Sequence, residues 1–139
     1  MIDVSGTFWK RLSDDAEIKS MVGSNVYREL STESDWPLID IESWQEYDDS
    51  LDPAPLQRFT VIVTIETLDK ELTIKVRNRV MELLNRSYWS YNGTCIESVL
   101  FSSEGRGNNI QGGGDKSHIY YYRELTFNVL AYENSNKGI

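Results

Sequence analysis

His118 and Cys95 are the only imidazole and the only thiol in this 139-residue chain, which leaves little room for side-chain chemistry. His118 beside Asp115 or Glu124 is the one acid/base pair the order of residues offers. It stands at a junction between a loop and a strand, where an exposed, idle histidine is the expected reading. Cys95 sits in an apolar stretch with no basic cluster nearby to lower its pKa, so an inert, half-buried thiol is expected. Structural zinc takes roughly four Cys or His ligands, and a nucleophilic triad needs a base beside its nucleophile. Counting therefore excludes most familiar catalytic constellations, and no metal or cofactor is expected.

Two polar runs also invite a chemical reading. Glu46, Asp48, Asp49 and Asp52 lie within residues 45–57, but they lack the spacing and the glycine of a calcium loop, so a solvated acidic loop is expected. Residues 102–116 hold five of the chain's nine glycines. A phosphate loop would end in Gly-Lys-Ser/Thr before a helix, whereas this run ends in Asp115-Lys116 before a strand. A structureless connection of that length is uncommon in a compact domain and is usually functional or disordered. Its candidate contact residues are Glu104, Arg106, Asn108, Ile110 and Lys116. The triplets Asn85-Arg86-Ser87 and Asn92-Gly93-Thr94 match the glycosylation pattern by chance, since no secretory signal precedes them.

The elements that must position these groups follow from periodicity. Residues 5–23 read as one helix or two, with Ser13 as the N-cap of the second and Gly23 as its terminator. Val26-Tyr27 and Trp36 to Trp44 read as extended, with Pro37 at a strand start or edge. From Arg58 to Thr67 the alternation sets Phe59, Val61, Val63 and Ile65 on one face. Residues 69–86 read as an amphipathic helix with Leu72, Val76, Val80, Leu83 and Leu84 inward. Ile74 and Met81 then face away, beside Glu71, Lys75, Arg79, Glu82 and Arg86, whose spacing allows Glu71–Lys75 and Glu82–Arg86 pairs. Asn92-Gly93 predicts a tight turn, followed by a strand to about Phe101 whose apolar residues fall on both faces, as though both were covered. Ser117 to Tyr132 alternates too long for a typical strand, and predicts a hairpin arm. Residues 134–139 are a polar tail.

Hydrophobic residues are 40% of the chain and aromatics 12%, enough for a folded core in a single domain spanning 1–139. The order of elements predicts an α+β fold: a largely antiparallel sheet with helices on one face and a long hairpin arm. The net charge of −8 disfavours nonspecific nucleic-acid binding. A single cysteine and the polar start Met1-Ile2-Asp3-Val4-Ser5 predict a protein of the reducing cytoplasm with no membrane association.

The stretch Leu12-Ser13-Asp14-Asp15-Ala16-Glu17-Ile18-Lys19-Ser20-Met21-Val22-Gly23 resembles the opening "Leu-Ser-x-Asp-x-x-Ile-x-x-Leu-Val-Gly" of the tail-terminator, or tail-completion, proteins of long-tailed bacteriophages. The resemblance continues through Val26-Tyr27, Trp36-Pro37-Leu38-Ile39, Arg58-Phe59-Thr60-Val61 and Tyr122-Arg123-Glu124-Leu125-Thr126-Phe127-Asn128-Val129. It implies a non-enzymatic virion protein at the head-proximal end of the tail, assembled in the bacterial host cytoplasm as a homohexameric ring. Such a ring ends tail-tube polymerisation and joins tail to head, with the tube protein and a head-completion (neck) protein as partners. DNA passes through the lumen without specific binding. On that reading Ile74, Met81, Lys75, Arg79, Tyr120 and Tyr122 are subunit-contact candidates, residues 102–116 touch tail or neck, and Asp48, Asp49 and Asp52 make the lumen acidic. The alternatives are a neighbouring neck protein, or a monomeric module that grips a ligand with residues 102–116.

Overall fold

Strict alternation from Phe59 to Ile65 builds the centre of the molecule, and every other element is placed by it. In the computed structural model, which describes residues 2–29, 35–46, 56–111 and 118–134, this segment is strand β3, Gln57–Thr67. Around it lie β1 (Val26–Arg28), β2 (Leu38–Glu46), β4 (Trp89–Tyr91), β5 (Thr94–Gln111) and β6 (His118–Glu133). The six form one sheet in the order β1-β2-β3-β6-β5-β4. β1 runs parallel to β2, and all other neighbours are antiparallel. The α+β architecture is as the periodicity predicts.

Three helices cover one face. In α1 (Val4–Asp14) Val4, Phe8 and Leu12 are buried; in α2 (Ala16–Val22), Ile18 and Val22; in α3 (Lys70–Leu84), Val76, Val80 and Leu84. They meet Ile39, Ile41, Val61, Val63, Ile65, Ile96, Val99, Leu125, Phe127, Val129 and Ala131 in one core. None of these helices is long and apolar enough to cross a membrane.

Local chemistry sets the boundaries, in places other than those expected. The break between α1 and α2 is capped by Asp15, whose carboxylate accepts from the Ile18 amide at 3.0 Å. Ser13 is inside α1, and its buried hydroxyl has no partner among the described residues. Aspartate caps at least as well as serine, and shifting the cap two residues lets α1 complete another half-turn. Gly23 ends α2 at φ 63°, as expected for a residue with no side-chain penalty there. Asp69 caps α3, which ends at Leu84. Arg86 therefore lies past the helix at φ 59°, and Glu82 pairs with Arg79 rather than Arg86.

Two further expectations change. The apolar residues of β5 fall on mixed faces because the register shifts twice against β6, between Ile96 and Ser98 and between Phe101 and Ser103. Each bulge inserts one residue and flips the alternation, so both faces need not be covered. The run 102–116 is also not a loop through its first ten residues: β5 continues to Gln111, paired with β6 as far as Gln111↔His118. A fully paired partner strand supplies the hydrogen bonds that composition alone does not reveal. The last pairs, Asn109↔Tyr120 to Gln111↔His118, extend past the end of β3 at Thr67↔Tyr121, and form the base of the predicted arm. Residues 112–117, Lys116 included, lie outside the described residues, as do Asp48, Asp49, Asp52 and residues 135–139.

Candidate assembly surfaces

The face of the sheet opposite the core carries no described helix. Antiparallel register puts directly opposed residues on the same side, so its rows can be read across the strands. One row is Trp44, Thr60, Asn128 and Leu100; the next are Glu42, Ile62, Thr126 and Ser103, and Glu46, Arg58, Leu130 and Ser98. Trp44 is 47% exposed and Leu100 51%. A shallow cleft of about 350 Å³ runs over Glu46, Arg58, Ser98, Leu100, Asn128 and Leu130. The same registers bring Asp40, Glu66 and Glu124 to this face, so five carboxylates share it with Arg58 alone among the cations of these rows. An acidic face thus exists on β2, β3 and β6, while Asp48, Asp49 and Asp52 lie outside the described residues.

The tyrosines expected at a contact are partly engaged. Tyr120 stacks on Trp36 at 5.3 Å between ring centres, and the Trp36 indole donates to Glu66 at 3.2 Å. Tyr122 lies against Gly107 on the neighbouring strand; a Cβ there would come within 2.9 Å of its hydroxyl. Glycine at 107 makes room for the ring, which gives this glycine of the 102–116 run a packing reason.

On the helix side, α3 turns Lys75 to solvent and leaves Ile74 half-buried. Met81 does not face away from the core as expected: it packs against it, because α2 and α1 close over the flank of α3 that a lone helix would expose. Arg79 is likewise not free. It bridges α3 to α2 through Asp15 at 2.7 Å, Glu17 at 3.0 Å and Glu82 at 3.0 Å. Its hydrogen bonds hold the Asp15 carboxyl below the usual range, against the opposing effect of burial, and the guanidinium is raised in turn.

Sequence reasoning missed a second ionic group. Glu104, expected in a loop, sits in β5 with one oxygen taking Arg77 of α3 at 2.8 Å and the other Arg123 of β6 at 2.6 Å. Burial opposes ionisation of Glu104, but the bonds from Arg77 and Arg123 outweigh it and its pKa is lowered. Arg123, which interrupts the apolar face of β6, is explained by this partner. The signal was the interruption itself, although its partner depended on the bulge at Ser102. Beyond this group lies a cleft of about 380 Å³, lined by Lys70, Thr73, Arg106, Gly107, Asn108, Tyr121, Tyr122 and Arg123.

Little else is reactive. Cys95 is buried, and its hydrogen bond to Tyr132 is the main reason the tyrosine's pKa is raised. The backbone of His118 pairs with Gln111 at the end of β6. Among the described residues no group of three His, Cys, Asp or Glu could hold a metal ion.

These surfaces belong to a fold seen elsewhere. A chain from the virion of a native gene transfer agent particle superposes on 93% of this chain and 94% of its own length, with a TM-score of 0.67 and 11% sequence identity. A second solved chain covers 89% of this one and 91% of itself at 18% identity, with a TM-score of 0.47, too low to carry an argument. No protein-family profile and no curated relative matches the chain. At such identities the likeness shows a shared fold.

Proposed function

We infer that this chain is a non-enzymatic structural protein of a phage-like particle, and that it acts as a tail terminator: a ring at the head-proximal end of the tail that ends tube growth and joins tail to head. The observation that carries the reading is the end-to-end likeness of its fold to a chain of a gene transfer agent virion. The segments quoted above for the tail-terminator resemblance span the same length. The surfaces are consistent with work done by contact. The sheet offers a broad acidic face with an exposed Trp44, and the helix layer offers a chemically different face with Lys75 and Ile74 outward. A closed ring requires two such unlike patches on each subunit.

The subunit-contact set is narrowed accordingly. Lys75 and Ile74 remain contact candidates, with Tyr120 and Tyr122 at the base of the arm. Met81 and Arg79 are assigned to holding the helices together. The acidic lining proposed for the lumen is extended from Asp48, Asp49 and Asp52 to the open sheet face that carries Glu66 and Glu124. A ring of six at −8 each would carry −48, which repels a DNA backbone and lets it slide. In the monomeric ligand-gripping alternative, residues 102–111 would act from a paired strand rather than from a free loop.

Mass measurement of the purified chain tests the reading, with a species near six times 16.0 kDa expected. Negative-stain images of particles made without the chain should show tails of abnormal length or tails detached from heads. Normal, head-joined tails would rule out the terminator role, and tails of normal length detached from heads would assign the chain to the neck instead.

A further inference from the structure

The cleft between the first turn of α3 and the β5–β6 arm holds an electrostatic arrangement that the monomer does not resolve. Arg106 and Arg123 are directly opposed across β5 and β6, a like-charge pair that is unfavourable in isolation. Lys70, the first residue of α3, closes the same cleft from above. No carboxylate is among its lining residues. Nearby acids are few: Glu104 is already divided between Arg77 and Arg123, and Asp69 is turned to the backbone as the cap of α3, accepting from Glu71 at 3.0 Å. Lys70 and Arg106 are exposed and have no ion pair among the described residues. In a chain with 22 acids to 14 bases, two exposed cations without a counter-charge, gathered beside an Arg123 whose one acid is shared with Arg77, are unexpected. The contrast within the molecule is direct. Arg79 meets three carboxylates, and the cleft at Lys10 and Arg11 includes Asp14 and Asp15.

We propose that this cleft is a carboxylate-binding site filled by the acidic β2 margin of a second copy of the chain, centred on Glu42 and Glu46. Charge complementarity selects the occupant. Glu42 and Glu46 are exposed, and they stand on the part of β2 beyond β1, which pairs only with Ile39 to Ile41. That stretch of strand margin has no neighbour among the described residues. The cleft lies toward the opposite side of the sheet, where β4 pairs with β5 only at Thr94 to Ile96. The two patches are therefore unlike, oppositely charged and on opposite margins, the arrangement a head-to-tail contact requires. Nucleic acid is the less favoured anion, because the acidic remainder of the chain repels it. The proposal rests on the ring reading above and supplies its contact.

Charge reversal tests it, read by sedimentation velocity of the full chain. Lys70→Glu with Arg106→Glu should abolish assembly while leaving the circular dichroism spectrum and melting temperature of the folded chain intact. Glu42→Lys with Glu46→Lys should do the same from the other side, and mixing the two variants should restore association through one repaired contact. An assembled wild type with an equally assembled Lys70→Glu/Arg106→Glu variant overturns the cleft contact and leaves the ring standing. Failure of the mixed variants to associate overturns it as well, as does tight binding of duplex DNA that the Lys70→Glu/Arg106→Glu exchange removes. A wild type that stays monomeric at high concentration overturns both the contact and the ring.

Discussion

The two faces of β3 and β6 are made by the same strands from alternate residues, yet they serve different ends. On one, Val61, Val63, Ile65, Leu125, Phe127 and Val129 are sealed under three helices. On the other, Ile62, Thr64, Thr126, Asn128 and Leu130 share the surface with acids and with Trp44. Burial of apolar area stabilises the first face by about 25 cal/mol per Å² removed from water, so its residues answer to packing. The second face contributes little to the stability of a single chain, and its residues are free to answer to a partner. The difference separates what holds this protein together from what it can do.

The largest expected effect comes from breaking the packed face. Phe127→Ala should cost about 3–5 kcal/mol, while Asn128→Ala, one residue along, should change stability by no more than about 0.5 kcal/mol. Urea titrations of both variants check this, and comparable losses would end the distinction. Next in size is a swap of hydroxyl and methyl. Val63→Thr buries a hydroxyl and should cost about 1–3 kcal/mol; Thr64→Val should lie within about 0.5 kcal/mol of the wild type. Thermal melts that rank them the other way would show that the open face is packed in solution.

A smaller effect sharpens the boundary between the faces, where the charged group Arg77–Glu104–Arg123 closes the end of the core. The folded-state pKa of Glu104 is lowered, so its contribution to stability is present above its unfolded value of about 4.3 and is lost as pH falls through the lower folded value. Glu104→Gln should therefore be less stable than the wild type near neutral pH, by about 1 kcal/mol after screening, and the gap should close in acid. A gap unchanged between pH 7 and pH 3 would remove the charge from the explanation. The smallest effects concern outward residues. Ile74→Glu should leave the melting temperature almost unchanged, and so should Trp44→Ala, whereas Met81→Glu should lower it because Met81 touches the core.

Where the sequence could be read, the reading was local. The alternation of Phe59 to Ile65, the 3.6-residue rhythm of Val76, Val80 and Leu84, the Asn92-Gly93 turn with φ 51° and 86° and Gly23 each follow from interactions among neighbours in the chain. The candidate surfaces were less legible. Arg79 looked like an outward base and is bound to Asp15, 64 positions away. Residues 102–111 looked structureless because Gly105, Gly107 and Asn108 have weak strand preference, and only pairing with β6 makes them a strand. Arg106 stands opposite Arg123 across β5 and β6, and that register depends on the extra residue at the Ser102 bulge.

The sequence alone determined the alternating and helical elements, the single apolar face on each, the acidic balance and the poverty of reactive groups, because these are properties of composition and short-range spacing. The tertiary structure decided which charges find partners, which strand margins stay open and where, among the described residues, Lys70 and Arg106 are left without an acid. Those outcomes depend on register, and one inserted residue in β5 moves every side chain after it to the opposite face.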